Sequence, residues 1–167
     1  MATKHDLLST LRSVQAGSIS PEEALLQMKL APFEDLGYAK VDYHRAVRQG
    51  ASEVIYGQSK TPEHIAGILE AMQRRDSSNI LVTRIEQKTA DWLAERFPLR
   101  YEPLAKLAVV LPRPTEQRGA IAVITGGTSD IGVAEEAAIT AETLGNRVTR
   151  LYDVGVAGLH RLLSQLE

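Results

Sequence analysis

The segment Thr125-Gly126-Gly127-Thr128-Ser129-Asp130 stands between an unbroken apolar run, Ile121-Ala122-Val123-Ile124, and a stretch whose apolar stripe is nearly all alanine, at Ala134, Ala137, Ala138 and Ala141. A short apolar run closed by glycines predicts a strand buried on both faces, as strands inside parallel sheets are. An alanine stripe lets the following helix lie close against that sheet. Gly145 ends the helix, and Val148 to Tyr152 predicts the next strand. This order of strand, glycine turn, helix and strand is a βαβ unit, and it commits this part of the chain to an α/β fold with a parallel sheet.

The rest of the chain agrees with that class. Thr3 with Asp6 predicts a helix start, Leu7, Leu8, Leu11 and Val14 give its stripe, and Gly17 its stop. Ser20-Pro21-Glu22-Glu23 is a second start, with a capping serine, proline at the first helical position and glutamate at the third. Leu25, Leu26, Met28 and Leu30 follow. Val54-Ile55-Tyr56 predicts a short buried strand, and Thr61-Pro62-Glu63 opens a helix carrying Ile65, Ile68, Leu69 and Met72. Asn79 to Thr83 is a further strand, Ala90, Leu93, Ala94 and Phe97 mark a helix, and Leu107 to Leu111 a third strand. Alternation of this kind implies a mainly parallel sheet.

The stretch 113–119 has no large apolar residue and reads as a linker. The expected organisation is therefore amino-terminal helices with a small α/β domain over 1–112, a linker over 113–119, and a βαβα unit over 120–167. The last helix places Leu159, Leu162, Leu163 and Leu166 on one face. Two strands and two helices cannot cover a strand buried on both faces. The missing cover is expected from another chain or from a longer domain of which this is the front part, and truncation is the expectation we favour.

Composition narrows the function. Hydrophobic residues make up 44% and charged residues 24%, the balance of a globular protein, and the formal net charge of -2 gives no field for nucleic acid or an anionic membrane. No cysteine is present, which removes disulfides and thiolate chemistry from these residues and suits a reducing cytoplasm. The amino terminus has early charges and no long apolar stretch, unlike a signal peptide. The apolar runs fall far short of the roughly 20 residues that span a bilayer. His5, His44, His64 and His160 show no ligand spacing, which argues against a zinc site.

The best candidate site is the glycine turn itself. Amides at a helix start point outward unpaired, and the helix dipole adds partial positive charge there. Gly126 and Gly127 permit close approach of an anion, and Thr128 and Ser129 offer hydroxyl donors. The competing reading is a tight turn in which Ser129 or Asp130 merely caps the helix, and spacing leaves both open. The segment Tyr152-Asp153-Val154-Gly155-Val156-Ala157-Gly158 follows the next strand, so both loops open on the same sheet edge. Asp153 there serves a ribose hydroxyl, a metal, a base or a helix cap. In the first domain, the polar stretch 38–45 and the turn Gly57-Gln58-Ser59-Lys60-Thr61 compete with a plain solvated surface.

These motifs resemble a known family. Gly37-Tyr38-Ala39-Lys40-Val41-Asp42-Tyr43-His44-Arg45-Ala46-Val47-Arg48-Gln49-Gly50, Glu53 to Gly57 and Lys60-Thr61-Pro62 resemble the LarB family. So do Thr125 to Ile131, Ala134-Glu135-Glu136-Ala137, Gly145-Asn146 and the tract Leu151 to Arg161. LarB is the pyridinium-3,5-biscarboxylic acid mononucleotide synthase of nickel-pincer cofactor biosynthesis. Its carboxyl-terminal domain is similar to PurE, the aminoimidazole ribonucleotide carboxylase or mutase. The resemblance thus implies that 120–167 is the first part of a PurE-like three-layer domain. PurE carries a Gly-Ser-x-Ser-Asp phosphate loop, where Gly127-Thr128-Ser129-Asp130 stands here. Its second loop carries Ser-Ala-His-Arg-Thr-Pro, and Asp153 to Gly158 has neither the histidine nor the arginine.

The resemblance implies that nicotinic acid adenine dinucleotide is carboxylated on its pyridinium ring by carbon dioxide or bicarbonate. Its phosphoanhydride is hydrolysed, releasing AMP. A nucleophile adds first to the electron-poor ring, making the carbon that attacks carbon dioxide. In the family a cysteine has that part, and a divalent ion such as Mg2+ assists at the phosphates. The expected substrate-binding residues are Gly126, Gly127, Thr128, Ser129, Asp130, Asp153 and Gly155, with Arg45 and Lys60 reaching the second phosphate. Asp130 and Asp153 are the expected catalytic residues, and the metal ligands stay unassigned. Without a cysteine, these residues alone are expected to bind weakly and turn nothing over. The resemblance also implies a cytoplasmic homo-oligomer, with an octamer among the forms it allows. The alternatives are a purine-type carboxylase or mutase and a non-catalytic nucleotide-binding or assembly module.

Overall fold

The computed structural model describes residues 4–30, 33–42, 54–155 and 158–164. The chain divides into two compact units, one of Met1–Glu53 with Lys60–Ser78, the other of Val54–Ser59 with Asn79–Glu167.

In the first unit α1 (Lys4–Gln15) and α2 (Pro21–Leu30) pack beside each other. Gly17 follows α1 with φ of 71°, the left-handed turn a glycine stop supplies. The Ser20 signal forms a complete capping box: the Glu23 amide donates to Ser20 Oγ at 3.0 Å, and the Ser20 amide donates to the Glu23 carboxylate at 2.8 Å. The antiparallel hairpin β1 (Phe33–Asp35) and β2 (Lys40–Asp42) was not legible in the pattern, because each strand is only three residues long. α3 (Pro62–Gln73) starts as expected, with Thr61 Oγ1 accepting from the His64 amide at 3.3 Å. Ile65, Ile68, Leu69 and Met72 are all buried.

The second unit contains a four-stranded sheet in the order β3-β4-β6-β5, formed by Val54–Tyr56, Ile80–Thr83, Leu107–Val110 and Leu99–Glu102. β3 and β4 are parallel, but β6 runs antiparallel to both β4 and β5. The expectation of a mainly parallel sheet is corrected here. The missed strand β5 turns back into β6 through a short connection, which only antiparallel neighbours can use. β4 and β6 are central and buried at every position. β3 is not the buried strand expected: it lies at the sheet edge and only Ile55 is buried, with Val54 and Tyr56 outward. α4 (Gln87–Ala94) buries Ala90 and Leu93, while Ala94 faces outward.

β7 (Gly119–Ile124) and β8 (Asn146–Leu151) form a separate parallel pair, with α5 (Ile131–Thr143) between them in sequence and α6 (Leu159–Leu163) after. This is the expected βαβα order. α5 buries Ala134, Ala138 and Ile139, and Ala137 points outward instead of joining the stripe. Ile139 turns the other way from the β7–β8 pair, into a cluster with Leu81, Leu107 and Val109 of the four-stranded sheet. α5 is therefore a shared wall between the two sheets.

The clearest departure is β7. Its apolar residues predict burial on both faces, yet Ile121 is 41% and Ile124 56% exposed. β7 is hydrogen-bonded along one edge only, to β8, and α5 is the helix packed on it. Ile121 and Ile124 stand on opposite faces of the strand, so among the described residues neither face is fully covered. No described helix is long and apolar enough to cross a membrane.

Candidate functional site

Two loops leave the same end of the β7–β8 pair, and Thr125 ties them together. Its amide donates to the Leu151 carbonyl at 3.0 Å, and its own carbonyl accepts from the Val154 amide at 3.0 Å. Its hydroxyl accepts from the Asp153 amide at 3.1 Å. Thr125 is buried, so every polar group it carries is satisfied by the second loop or the strand before it. The loops also touch directly. A side chain at Gly155 would sit 2.3 Å from the Gly126 carbonyl oxygen, which makes glycine there a steric requirement.

The first loop continues as a 3-10 turn over Thr128–Asp130 before α5 begins. Neither start has a side-chain cap: Gly127 precedes the turn, and Asp130 precedes α5 without accepting a capping hydrogen bond. Thr128, Ser129 and Asp130 are exposed. The capping explanation of these residues therefore does not account for them. Gly127 has φ of -148°, an extended conformation open to any residue, and a side chain there would meet only Ser129 Oγ at 3.9 Å. Glycine at 127 is not needed by the backbone; its effect is to leave the amides of the turn uncovered.

In the second loop Asp153 adopts φ of 58°, a left-handed conformation that aspartate tolerates better than most residues. Its carboxylate lies 3.3 Å from the guanidinium of Arg161 on α6. The sequence reading missed Arg161 as a site residue. Asp153–Gly158 lacks the histidine and arginine of the PurE loop, but His160 and Arg161 follow at once, and α6 folds Arg161 back onto the loop. Thr125 was missed too, although a polar residue closing an apolar strand was the available signal.

Residues 33–112 match the family model described as the LarB/PurE-like N-terminal domain. Over those residues the chain is similar to that domain. Such a domain is of an enzyme-related family. The uncharacterized protein MJ0165 of Methanocaldococcus jannaschii is 34% identical over 172 aligned residues, covering 97% of this chain and 66% of its own length. The match with that relative takes in both loops as well as the amino-terminal domain.

The chain supports its loops with a charge network. Arg150 on β8 is ion-paired to both Glu135 and Glu142 of α5, and the Tyr152 hydroxyl donates to Glu135 at 2.9 Å. The hydrogen bond from Arg150, together with its charge, holds the Glu142 carboxyl below its ordinary range despite partial burial. Burial, and then the hydrogen bond to Glu135, push the Tyr152 phenol up, so it stays a donor. This network fixes α5 to β8 on both sides of the loops they begin and end.

The other expected residues fall elsewhere. Lys60 is exposed in the turn between β3 and α3 and belongs to the first unit. Arg45 lies outside the described residues. Among those described, no group of three histidine or acidic side chains could hold a metal ion. Asp130 and Asp153 offer two carboxylates, and Asp153 is already shared with Arg161.

Proposed function

We propose that the two loops are the phosphate- and ring-binding part of a LarB-type site. Its reaction carboxylates the pyridinium ring of nicotinic acid adenine dinucleotide and hydrolyses the phosphoanhydride to release AMP. The observation that carries this reading is the uncapped turn, where Thr128, Ser129 and Asp130 stand exposed beside a loop locked to them through Thr125. Exposed hydroxyls at a helix start suit a phosphate, with the amides of Asp130 and Ile131 already held by the Gly127 and Thr128 carbonyls. Asp153, held at the adjacent loop, is the group nearest to a ring or ribose. A divalent ion would need phosphate oxygens to complete its shell, since these residues supply at most two carboxylates. It would supply charge neutralisation at the phosphates.

The nucleophile is not among these 167 residues, which contain no cysteine. The chain spans 66% of the length of the relative it matches, and the activity of the whole protein is part of this proposal. A homo-oligomer fits the same reading, because β7 leaves Ile121 and Ile124 available for cover. Arg161 beside Asp153 gives a specific reason to keep the purine-type carboxylase as the second reading, since it returns an arginine to that loop.

Calorimetric titration with nicotinic acid adenine dinucleotide and with aminoimidazole ribonucleotide tests the choice. Tighter binding of the dinucleotide is expected, with a loss of about tenfold in Ser129→Ala and Asp130→Asn, the scale of one or two charge-assisted hydrogen bonds. Tighter binding of the purine intermediate would transfer the site to the second reading.

A further inference from the structure

The sheet edge opposite the two loops carries its own cleft. β7 and β8 are paired in register from Gly119 with Asn146 to Ile124 with Leu151. The loops leave after Leu151 and the cleft is entered at Asn146, so the two lie roughly 17 Å apart along the strands at about 3.3 Å per residue. The cleft has a volume of about 490 Å³. Small-molecule sites span about 300–1,000 Å³.

Three separate elements line it with arginine: Arg100 from β5, Arg113 from the segment after β6, and Arg147 from β8. Arg147 is exposed and has no hydrogen-bond or ion-pair partner among the described residues. Arg100 makes an exposed pair with Glu102 at 3.5 Å, a contact that contributes little, and its charge is also felt by Glu142. The single carboxylate in the lining, Glu142, is shared with Arg150 and also acts on Arg100, so it offsets part of the positive charge and leaves arginine in excess. A surplus of arginine in a concave, partly walled site concentrates positive potential.

The wall is built rather than incidental. Asn79, at a left-handed φ of 52°, clamps the segment after β6 with three hydrogen bonds. Its amide nitrogen donates to the Arg113 carbonyl at 3.1 Å and to Thr115 Oγ1 at 2.9 Å. Its amide oxygen accepts from the Arg113 backbone at 2.7 Å. On the facing side, the Arg118 amide donates to the Gly145 carbonyl at 2.8 Å. The region expected to be a plain linker is thereby held as one side of the cleft.

We propose that this cleft is a second binding site, distinct from the two loops, for a phosphorylated small molecule of nucleotide size. Arg100 and Arg147 hold its phosphate. Planar guanidinium groups match phosphate oxygens in pairs, and Val109, Pro112 and Val148 give the rest of the ligand an apolar side.

The test uses Ser129→Ala/Asp130→Asn protein, in which the loop site is weakened, titrated with AMP and separately with inorganic pyrophosphate. AMP is expected to bind still, with affinity falling as salt is raised. Arg147→Gln and Arg100→Gln are each expected to weaken that residual binding at least tenfold, while Arg147→Lys keeps most of it. Amide shifts on AMP addition should centre on Asn79, Thr115 and Thr143. Pyrophosphate binding as tightly as AMP would reduce the ligand to the phosphate group alone and overturn the nucleotide-sized assignment. Residual AMP binding that is absent, or unmoved by both glutamine variants, would overturn the site. Residual binding that responds to the arginine variants and shifts Asn79, Thr115 and Thr143 belongs to the cleft, whatever the loops bind.

Discussion

At the scale of single residues, the glycines of the two loops separate structure from binding. Gly155 faces the Gly126 carbonyl oxygen too closely for any side chain, so Gly155→Ala should force the loops apart. A loss of about 1–3 kcal/mol is expected, read as a lower midpoint in thermal or urea unfolding. Gly127→Ala should behave in the opposite way. Its backbone is extended and the space beyond it is open, so the unfolding midpoint should stay put while ligand affinity falls. If Gly127→Ala lowers stability as much as Gly155→Ala, the uncovered amides have no special role. Both glycines were visible in the sequence as a loop signature, but only the contact between them tells which is structural. Thr125 illustrates the same limit. Its hydrogen bonds to Asp153 and Val154 join residues 28 and 29 positions apart, and no local pattern encodes that.

At the scale of elements, periodicity located the helices and most strands because each has a buried stripe. It did not find the β1–β2 hairpin, which is too short to show alternation, or β5, whose residues are only partly buried. Orientation was harder still: the antiparallel turn of β6 depends on β5 being there. In α5 the alanines at 134 and 138 were legible, while Ile139 faces a second sheet that the βαβ pattern alone does not predict. Ile139→Ala should cost about 2–5 kcal/mol, since it empties a position packed among Leu81, Leu107 and Val109. A smaller loss, within about 0.5 kcal/mol, would mean that α5 is not anchored to the four-stranded sheet. The network on its other side has a pH signature. Because Arg150 lowers the folded-state value of Glu142 from its ordinary 4.5, the pair stabilises the fold above that value. Its contribution should fade as pH drops further and the carboxylate protonates. Glu142→Gln should therefore be less stable than the wild type at neutral pH and converge with it in acid, measured by unfolding across pH 3 to 7.

At the scale of the whole molecule, the α/β class was legible from alternation, and the family resemblance is matched at residues 33–112. What stayed hidden was what lies against what, which is why the expected burial of β7 differs from its observed exposure. An apolar strand with one free edge and an open face favours association. Light scattering should accordingly report an oligomer, and Ile124→Asp should shift it toward smaller species; a wild-type monomer at micromolar concentration would remove that expectation. One further consequence belongs to α5. Its first turn follows the uncapped loop, and its last residues, Glu142 and Thr143, line the arginine cleft. A helix of 13 residues is about 20 Å of stiff rod. Any sliding of that rod along its axis displaces both ends by the same amount, which would tie the two proposed sites together. If occupancy at one end moves it, thermodynamic reciprocity requires the other end to answer by the same factor.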